Sequence, residues 1–498
     1  MTLGEVLAGV RLTQPLAAEL AQSTVESLEY DSRRVKGGAL FFAFPGARAD
    51  GRDFAVQAVK AGAVAVTSEL PAPEGFRGHW IQVEHGRQSL ALAARNFFRQ
   101  PDERISLTGI TGTNGKTTTA YLVDSILRAA GKTTALISTI EYHLGDRVMP
   151  AVNTTPESLD LYRMFAGLEQ MGGTFVTMEV SSHALALGRV YGMHFQTAVF
   201  TNLTRDHLDF HRTMEEYFAA KQLLFTGYGA SAPRFAVINR DDEYGARIQA
   251  GSGSRALGYG LGKDATVRAR HISSSFEGLR FEVQAPEGRF IVQSPLIGRI
   301  NVYNILAACG AGLSYGLQPE IIARGIAQCR SVQGRFERVD EGQPFVVVVD
   351  YAHTDDALRN VISMARSLEP KRVVTLFGCG GDRDRTKRPI MGQVAAELSD
   401  FVVLTSDNPR SEDPLDIMND VLVGLRRKDT PCLMEPDRAA AIRRAIEQAR
   451  PGDILILAGK GHETYQVLKD RTIAFDDREV ARDVLRSFGY RRRPDASA

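Results

Sequence analysis

The run Thr111-Gly-Thr-Asn-Gly-Lys-Thr-Thr118 carries the residue types that bind a polyphosphate. Its glycines let backbone N–H groups converge on phosphate oxygens, and a helix starting there adds partial positive charge. Lys116 is spaced to reach the β- and γ-phosphates of ATP, and Thr117 to offer a hydroxyl to Mg²⁺. The expected nucleotide cradle is therefore Gly112, Thr113, Asn114, Gly115, Lys116, Thr117 and Thr118. A strict P-loop asks for glycine at position 110, where this chain has Ile110. That departure argues against a generic NTPase and leaves phosphate binding as the reading of the loop.

Other chemistry-bearing residues follow strand-like runs. Thr174-Phe-Val-Thr-Met-Glu179 ends in a carboxylate that, at the C-terminal edge of a sheet, can face the same phosphates and their metal. Thr201-Asn-Leu-Thr-Arg-Asp-His-Leu-Asp-Phe-His211 holds two histidines, more easily read as hydrogen-bonding groups than as a zinc pair, since no further ligands stand at zinc spacing. Lys221, on an expected helix, reads by itself as a surface lysine. In Asn153-Thr-Thr-Pro-Glu157, Thr155 is expected to cap a helix with Pro156 in its first position, which leaves donors for an anion or serves only as a helix start. Arg383 and Arg410 are expected at neighbouring strand ends, where they form a clamp for a carboxylate or stand as ordinary surface arginines.

Apolar runs separated by polar and glycine-rich stretches supply the elements that hold these groups. Ala39–Gly46 and Ala63–Thr67 read as strands around a helix at 55–61, and Gln100-Pro-Asp-Glu-Arg104 reads as a linker. Strands are expected at 105–110, 134–139, 175–180, 197–200 and 235–239, alternating with helices as in a mainly parallel sheet. The segment 257–297 alternates in the β manner and reads as an antiparallel ribbon, with helix returning at 302–315. Further strands at 345–349, 373–377, 401–404 and 454–458 suggest another α/β unit. The fold class is α/β with three domains: a small N-terminal α/β domain (1–103), a central P-loop-type domain with a mainly parallel sheet and flanking helices (104–335), and a C-terminal Rossmann-like α/β domain (336–498).

Bulk properties narrow the function classes. A chain of 498 residues is too long for one core and agrees with about three domains. Lys and Arg number 60 against 59 Asp and Glu, so no basic field exists for binding a nucleic-acid backbone. The four cysteines lie far apart without a C-x-x-C pair and read as reduced thiols. No apolar stretch of about 20 residues occurs, and the N-terminus lacks a basic and apolar leader, so a cytoplasmic protein without membrane insertion is expected. The arginine-rich ending from Arg491 reads as a frayed terminus.

Taken together, these motifs resemble the Mur ligase family over nearly the whole chain. The resemblance rests on Asp31-Ser-Arg33 with Gly46, the loop 111–118, Asn153-Thr-Thr155, Glu179-Val-Ser-Ser-His183, Asn202-Leu-Thr-Arg-Asp-His-Leu208, Asn301-Val-Tyr-Asn304, Asp350-Tyr-Ala-His353 and Asp407-Asn-Pro-Arg410. Family loops begin G-T-x-G-K, which accounts for Ile110. The resemblance implies a uridine-nucleotide site at Tyr30 and Ser32, and a muramoyl-dipeptide site at Asn153, Thr154, Thr155, Ser181 and Arg189, with Leu187 where relatives present a polar side chain. It implies Lys116, Glu179, His207 and Lys221 as catalytic, and Glu179, His207 and a carbamylated Lys221 beside Thr117 as ligands of Mg²⁺. Asn301, Arg335, Asp350 and His353 fall on the adenine and ribose side. Arg383, Asp407, Asn408, Pro409, Arg410, Gly459 and Glu463 fall around the amino-acid substrate.

The implied activity is ATP-dependent amide-bond formation in peptidoglycan precursor synthesis. UDP-N-acetylmuramoyl-L-alanyl-D-glutamate is joined to meso-2,6-diaminopimelate through an acyl phosphate, by a monomer. L-Lysine or L-ornithine as the added amino acid, a folylpolyglutamate synthetase, and a P-loop regulatory ATPase are the alternatives.

Overall fold

The computed structural model describes residues 1–46 and 49–491. Most of the arginine-rich ending, from Arg492 on, lies outside the described residues. Three separate sheets carry the molecule. The first is a four-stranded parallel sheet, β1 (Ser27–Glu29), β2 (Ala39–Phe42), β3 (Ala65–Ser68) and β4 (Trp80–Gln82), in that order. The run Ala39–Phe42 is fully buried, as a strand covered on both faces requires.

The second sheet has eleven strands: β5 (Ser106–Thr111), β6 (Thr134–Ile137), β7 (Glu141–Leu144), β8 (Arg147–Pro150), β9 (Phe175–Glu179), β10 (Thr197–Phe200), β11 (Phe235–Asn239), β12 (Arg255–Gly260), β13 (Val267–Ser275), β14 (Gly278–Ala285) and β15 (Gly288–Ser294). In space β5 lies between β10 and β9, parallel to both. Loops 111–118, 179–183 and 200–207 therefore leave one edge of the sheet side by side, which gathers residues far apart in sequence. Helices Lys116–Ala129 and Arg299–Ser314 pack on a core that includes Ile110, Val199 and Val237.

The antiparallel ribbon is narrower than its sequence pattern suggests. Leu257 belongs to β12, which runs parallel to β11, and the antiparallel pairing is confined to β13, β14 and β15. The physical reason is burial: residues 257–260 are buried throughout, whereas alternation sets in only beyond them.

The third sheet holds β16 (Glu337–Val339), β17 (Val346–Asp350), β18 (Val373–Phe377), β19 (Phe401–Leu404), β20 (Cys432–Met434) and β21 (Ile454–Ala458), in the order β16-β17-β21-β18-β19-β20. All neighbours are parallel except β16 with β17. A short hairpin, β22 (Tyr465–Val467) and β23 (Thr472–Ala474), follows. Among the described residues all four cysteines are free thiols, and no helix is long and apolar enough to cross a membrane.

Candidate active site

The loop after β5 turns at Gly112 (φ 148°) and Gly115 (φ 87°), backbone angles that favour glycine. A Cβ at position 112 would fall 1.9 Å from Thr201 Oγ1, so the close approach of β10 also demands glycine there. Lys116 opens the following helix, and its Nζ donates to the carbonyls of Gly112 and Thr113 at 3.0 and 2.8 Å. Lys221, on helix Met214–Thr226, donates to the same Gly112 carbonyl at 2.8 Å and lies 4.5 Å from the Tyr217 ring centroid. Lys221 is 1% exposed, so it is no surface lysine. Burial, reinforced by Lys116, holds its amine well below the usual lysine range. A neutral amine is the form able to add CO₂.

Glu179 is fully buried at the end of β9, where it accepts from Thr139 N at 2.8 Å and from Thr139 Oγ1 at 3.2 Å. His207 sits at φ 54° beside Asp206, and its Nε2 is 3.3 Å from that carboxylate. Burial lowers its pKa to about 4, which outweighs the nearby Asp206 and leaves a neutral imidazole. Thr117 Oγ1 accepts from Arg335 Nη2 at 3.1 Å. Among the described residues no three His, Cys, Asp or Glu side chains gather as a ready metal cage. A hydroxyl, a carboxylate and an imidazole on one cavity nevertheless fit Mg²⁺, which takes few protein ligands and completes its shell with phosphate and water.

Thr155 does not cap a helix. The helix spans Ser158–Gln170 with Glu157 at its N-cap, and the Thr155 hydroxyl instead donates to Glu179 O at 2.9 Å while accepting from Ser181 N at 3.0 Å. Pro156 pushes the segment before it into extended backbone, and the buried strand end supplies a better partner than the helix start. Arg189 donates to Thr155 O at 2.9 Å and to Glu157 at 3.0 Å, and Arg87 approaches the same carboxylate at 3.4 Å. Arg87 in turn covers the Phe44 ring, which lies 6.2 Å from Tyr30. Tyr30 donates to Asp160 and Ser32 to Gln57, so these two residues stand off the main cavities, and Tyr30 is linked to them through Phe44, Arg87 and Glu157.

Two adjoining cavities result. One, of about 430 Å³, is lined by residues 112–118, Asn153, Thr154, Thr155, Glu179, Ser181, Leu187, Arg189, His207, Lys221, Asn301, Arg335, Asp350 and His353. The second, of about 580 Å³, is lined by Arg383, Asp407, Asn408, Arg410, Gly459 and Glu463. Asn153, Thr154, His183, Asp206, His207, Tyr351, His353 and Thr354 border both. Arg410, at φ 54°, anchors one Nη1 on the Gly381 carbonyl at 2.7 Å, and Arg383 donates to Asp382 O at 3.1 Å. Pro409 shapes the loop through its carbonyl, which packs on Gly381.

Comparison with known proteins decides the family. Residues 24–98, 110–312 and 334–461 match the models described as Mur ligase family, catalytic domain; Mur ligase middle domain; and Mur ligase, glutamate ligase domain. The chain belongs to the Mur ligase family. It is 70% identical over 490 residues, 98% of this chain and 99% of the relative, to the UDP-N-acetylmuramoyl-L-alanyl-D-glutamate–2,6-diaminopimelate ligase of Solibacter usitatus. It is 47% identical over 466 residues, 93% of this chain and 95% of the relative, to the protein of the same name from Geobacillus thermodenitrificans. A solved structure of such a ligase superposes with a TM-score of 0.70 at 32% identity, covering 98% of this chain and 99% of that one. The folylpolyglutamate synthase of Mycobacterium tuberculosis shares the fold at 17% identity, with a TM-score of 0.60 over 82% of this chain and 96% of that one.

In this Mur ligase several groups at the site escape a sequence reading. Thr139 is the residue that holds Glu179, yet nothing at the end of the strand expected at 134–139 marks it for that role. Asp356 accepts from Asn114 Nδ2 at 2.8 Å and from Thr204 Oγ1 at 2.9 Å, which clasps the C-terminal sheet to the phosphate loop. Lys460 is fully buried beneath Asn408 and Glu463. Its signal was available in Gly459-Lys-Gly-His-Glu463, a polar run directly after the all-apolar β21.

Proposed function

We propose that this Mur ligase couples ATP cleavage to amide-bond formation between the D-glutamyl carboxylate of UDP-N-acetylmuramoyl-L-alanyl-D-glutamate and an amine of meso-2,6-diaminopimelate. The observation that carries the reading is the shared wall of the two cavities, one built around the phosphate loop and the other around Arg383 and Arg410. A carboxylate activated in the first lies next to an amine bound in the second.

The nucleotide's phosphates are assigned to residues 112–118, with Lys116 turning from the loop carbonyls to the γ-phosphate, and its base and ribose to Asn301, Arg335, Asp350 and His353. The muramoyl-dipeptide is assigned to Asn153, Thr154, Thr155, Ser181 and Arg189, with its uridine toward Tyr30 and Ser32. Thr117, Glu179, His207 and carbamylated Lys221 would hold Mg²⁺, which neutralises phosphate oxygens when bound. The D-glutamyl carboxylate attacks the γ-phosphorus in line, ADP leaves, and an acyl phosphate forms. The neutral amine of the amino acid then attacks the acyl carbon, and the tetrahedral intermediate collapses with loss of phosphate and the amine proton. Contacts of Asp356 with Asn114 and Thr204 keep the C-terminal unit over the reacting groups and exclude water from the acyl phosphate.

Arg383 and Arg410 are assigned to the carboxylate at the far end of diaminopimelate, with Asp407, Asn408, Pro409, Gly459 and Glu463 around its ammonium. L-Lysine lacks that carboxylate and would set an ammonium against the arginines. We further read the enzyme as a cytoplasmic monomer with domains at 1–103, 104–335 and 336–498. The test is phosphate release with ATP, Mg²⁺ and the UDP-muramoyl-dipeptide, comparing meso-diaminopimelate, L-lysine and L-ornithine with product mass recorded. Turnover with diaminopimelate alone and the tripeptide mass is expected. Turnover only with L-lysine or L-ornithine would overturn the arginine assignment, and no dependence on any amino acid would overturn the ligase reading.

A further inference from the structure

Behind the wall of the arginine-bearing cavity lies a cation that the reaction above leaves without a task. Lys460 is 0% exposed, and its Nζ donates to Asn408 Oδ1 and to Glu463 Oε2, each at 3.2 Å, with Asp407 Oδ1 at 3.7 Å. A buried ammonium is costly unless paired and hydrogen-bonded, so this placement is a built arrangement. The three partners themselves line the cavity.

Asn408 and Glu463 are oriented through Lys460. Asn408 gives its Nδ2 to Glu463 Oε2 at 2.9 Å, and its Oδ1 accepts from both Lys460 and Val467 N, which leaves the amide one orientation. Glu463 thus has Oε2 taken twice, while Oε1 meets no protein donor among the described residues. Burial pushes the Glu463 carboxyl upward, and Lys460 is the group that opposes this most strongly. The other charged or titratable groups facing Glu463 are Asp407 after β19, Arg438 on helix Arg438–Gln448, Tyr351 after β17, and Tyr465 on β22. Arg438 is itself bound to Asp477 at 2.6 Å, so its charge is already matched.

We propose that Lys460 is a positioning residue for the amino-acid substrate: it keeps Glu463 ionised and Asn408 in register, so that the open Glu463 oxygen pairs with a substrate ammonium. This rests on reading the cavity as the amino-acid site. The test uses the full-length enzyme and measures KM for meso-diaminopimelate, ATP and the UDP-muramoyl-dipeptide from pH 6.5 to 9. Lys460→Met removes the charge at similar volume, and Lys460→Arg retains it.

Lys460→Met is expected to raise the diaminopimelate KM roughly tenfold or more at pH 7, with the other two KM values within about twofold. The ratio of variant to wild-type KM is expected to shrink as pH rises. Without the ammonium the Glu463 pKa climbs further, a larger share of the carboxyl takes up a proton, and alkali restores the anion. Lys460→Arg is expected to recover part of the loss. Lys460→Gln, which keeps a donor for both partners, carries the same test should the methionine variant not fold. An unchanged diaminopimelate KM, an equal rise for all three substrates, or a ratio independent of pH would overturn the proposal. Wild-type enzyme that ignores diaminopimelate would overturn the cavity assignment, and this proposal with it.

Discussion

Replacing Arg410 with alanine isolates the step that separates diaminopimelate from lysine. In the structure Arg410 spends Nη1 on the Gly381 carbonyl, and its Nε and Nη2 donate to no protein acceptor among the described residues, so part of the guanidinium fork stays open toward the cavity. A carboxylate held there by two charge-assisted hydrogen bonds gains about 1.5 kcal/mol from each, or about 3 kcal/mol together. At about 1.4 kcal/mol per decade this is a rise in KM of roughly 100-fold. Alanine meets the same left-handed backbone strain as arginine at φ 54°, so the loop is not further disturbed by the exchange. The assay is phosphate release at saturating ATP and UDP-muramoyl-dipeptide, with diaminopimelate and L-lysine titrated in parallel on both proteins. Diaminopimelate should lose roughly 100-fold in kcat/KM, whereas any residual turnover of L-lysine, whose ammonium Arg410 repels, should hold or rise. Equal losses for the two amino acids, or an unchanged diaminopimelate KM, would refute the reasoning.

Two further outcomes are expected. Lys221, buried and with its amine held well below the usual lysine range, should take up ¹³C-labelled bicarbonate to give a carbamate ¹³C resonance that Lys221→Ala lacks, and the same variant should lose activity by at least about 100-fold; a resonance that persists in the variant counts against Lys221. Glu412 is held at a pKa of about 2 chiefly by hydrogen bonds from Arg388, whose Nη1 and Nη2 lie 2.9 and 2.8 Å from its oxygens. Because that folded pKa is depressed, its stabilisation is present above the ordinary carboxylate range and is lost as pH falls from about 4.5 toward 2. The difference in Tm between wild type and Glu412→Gln should accordingly be full at pH 6 and narrow below pH 4, and a gap constant with pH would exclude the pair as its source.

Groups contiguous in sequence are the legible part of the site. The loop 111–118 declares itself because close backbone approach to β10 and positive φ leave glycine as the tolerated residue at 112, and because its lysine and threonines sit at fixed offsets on one helix start. Strands such as Val373–Phe377 and Ile454–Ala458 are equally plain, since parallel strands buried on both faces need uninterrupted apolar runs. Thr155 is the instructive miss. Its local pattern is that of a helix cap, but the hydroxyl bonds across to Glu179 O, a partner 24 residues away that no local pattern reveals.

By itself, then, the chain's sequence determined the main buried strands, where a polyphosphate can be cradled, and the family, because these depend on interactions within a few residues or on motifs read in order. Only the tertiary structure decided that Lys221 is buried on the Gly112 carbonyl, that Asp356 clasps Asn114 across 242 positions, and that Lys460 stands behind Asn408 and Glu463. Burial and long-range pairing set the charge state and aim of those side chains, and both depend on which strands lie next to each other in the folded sheets.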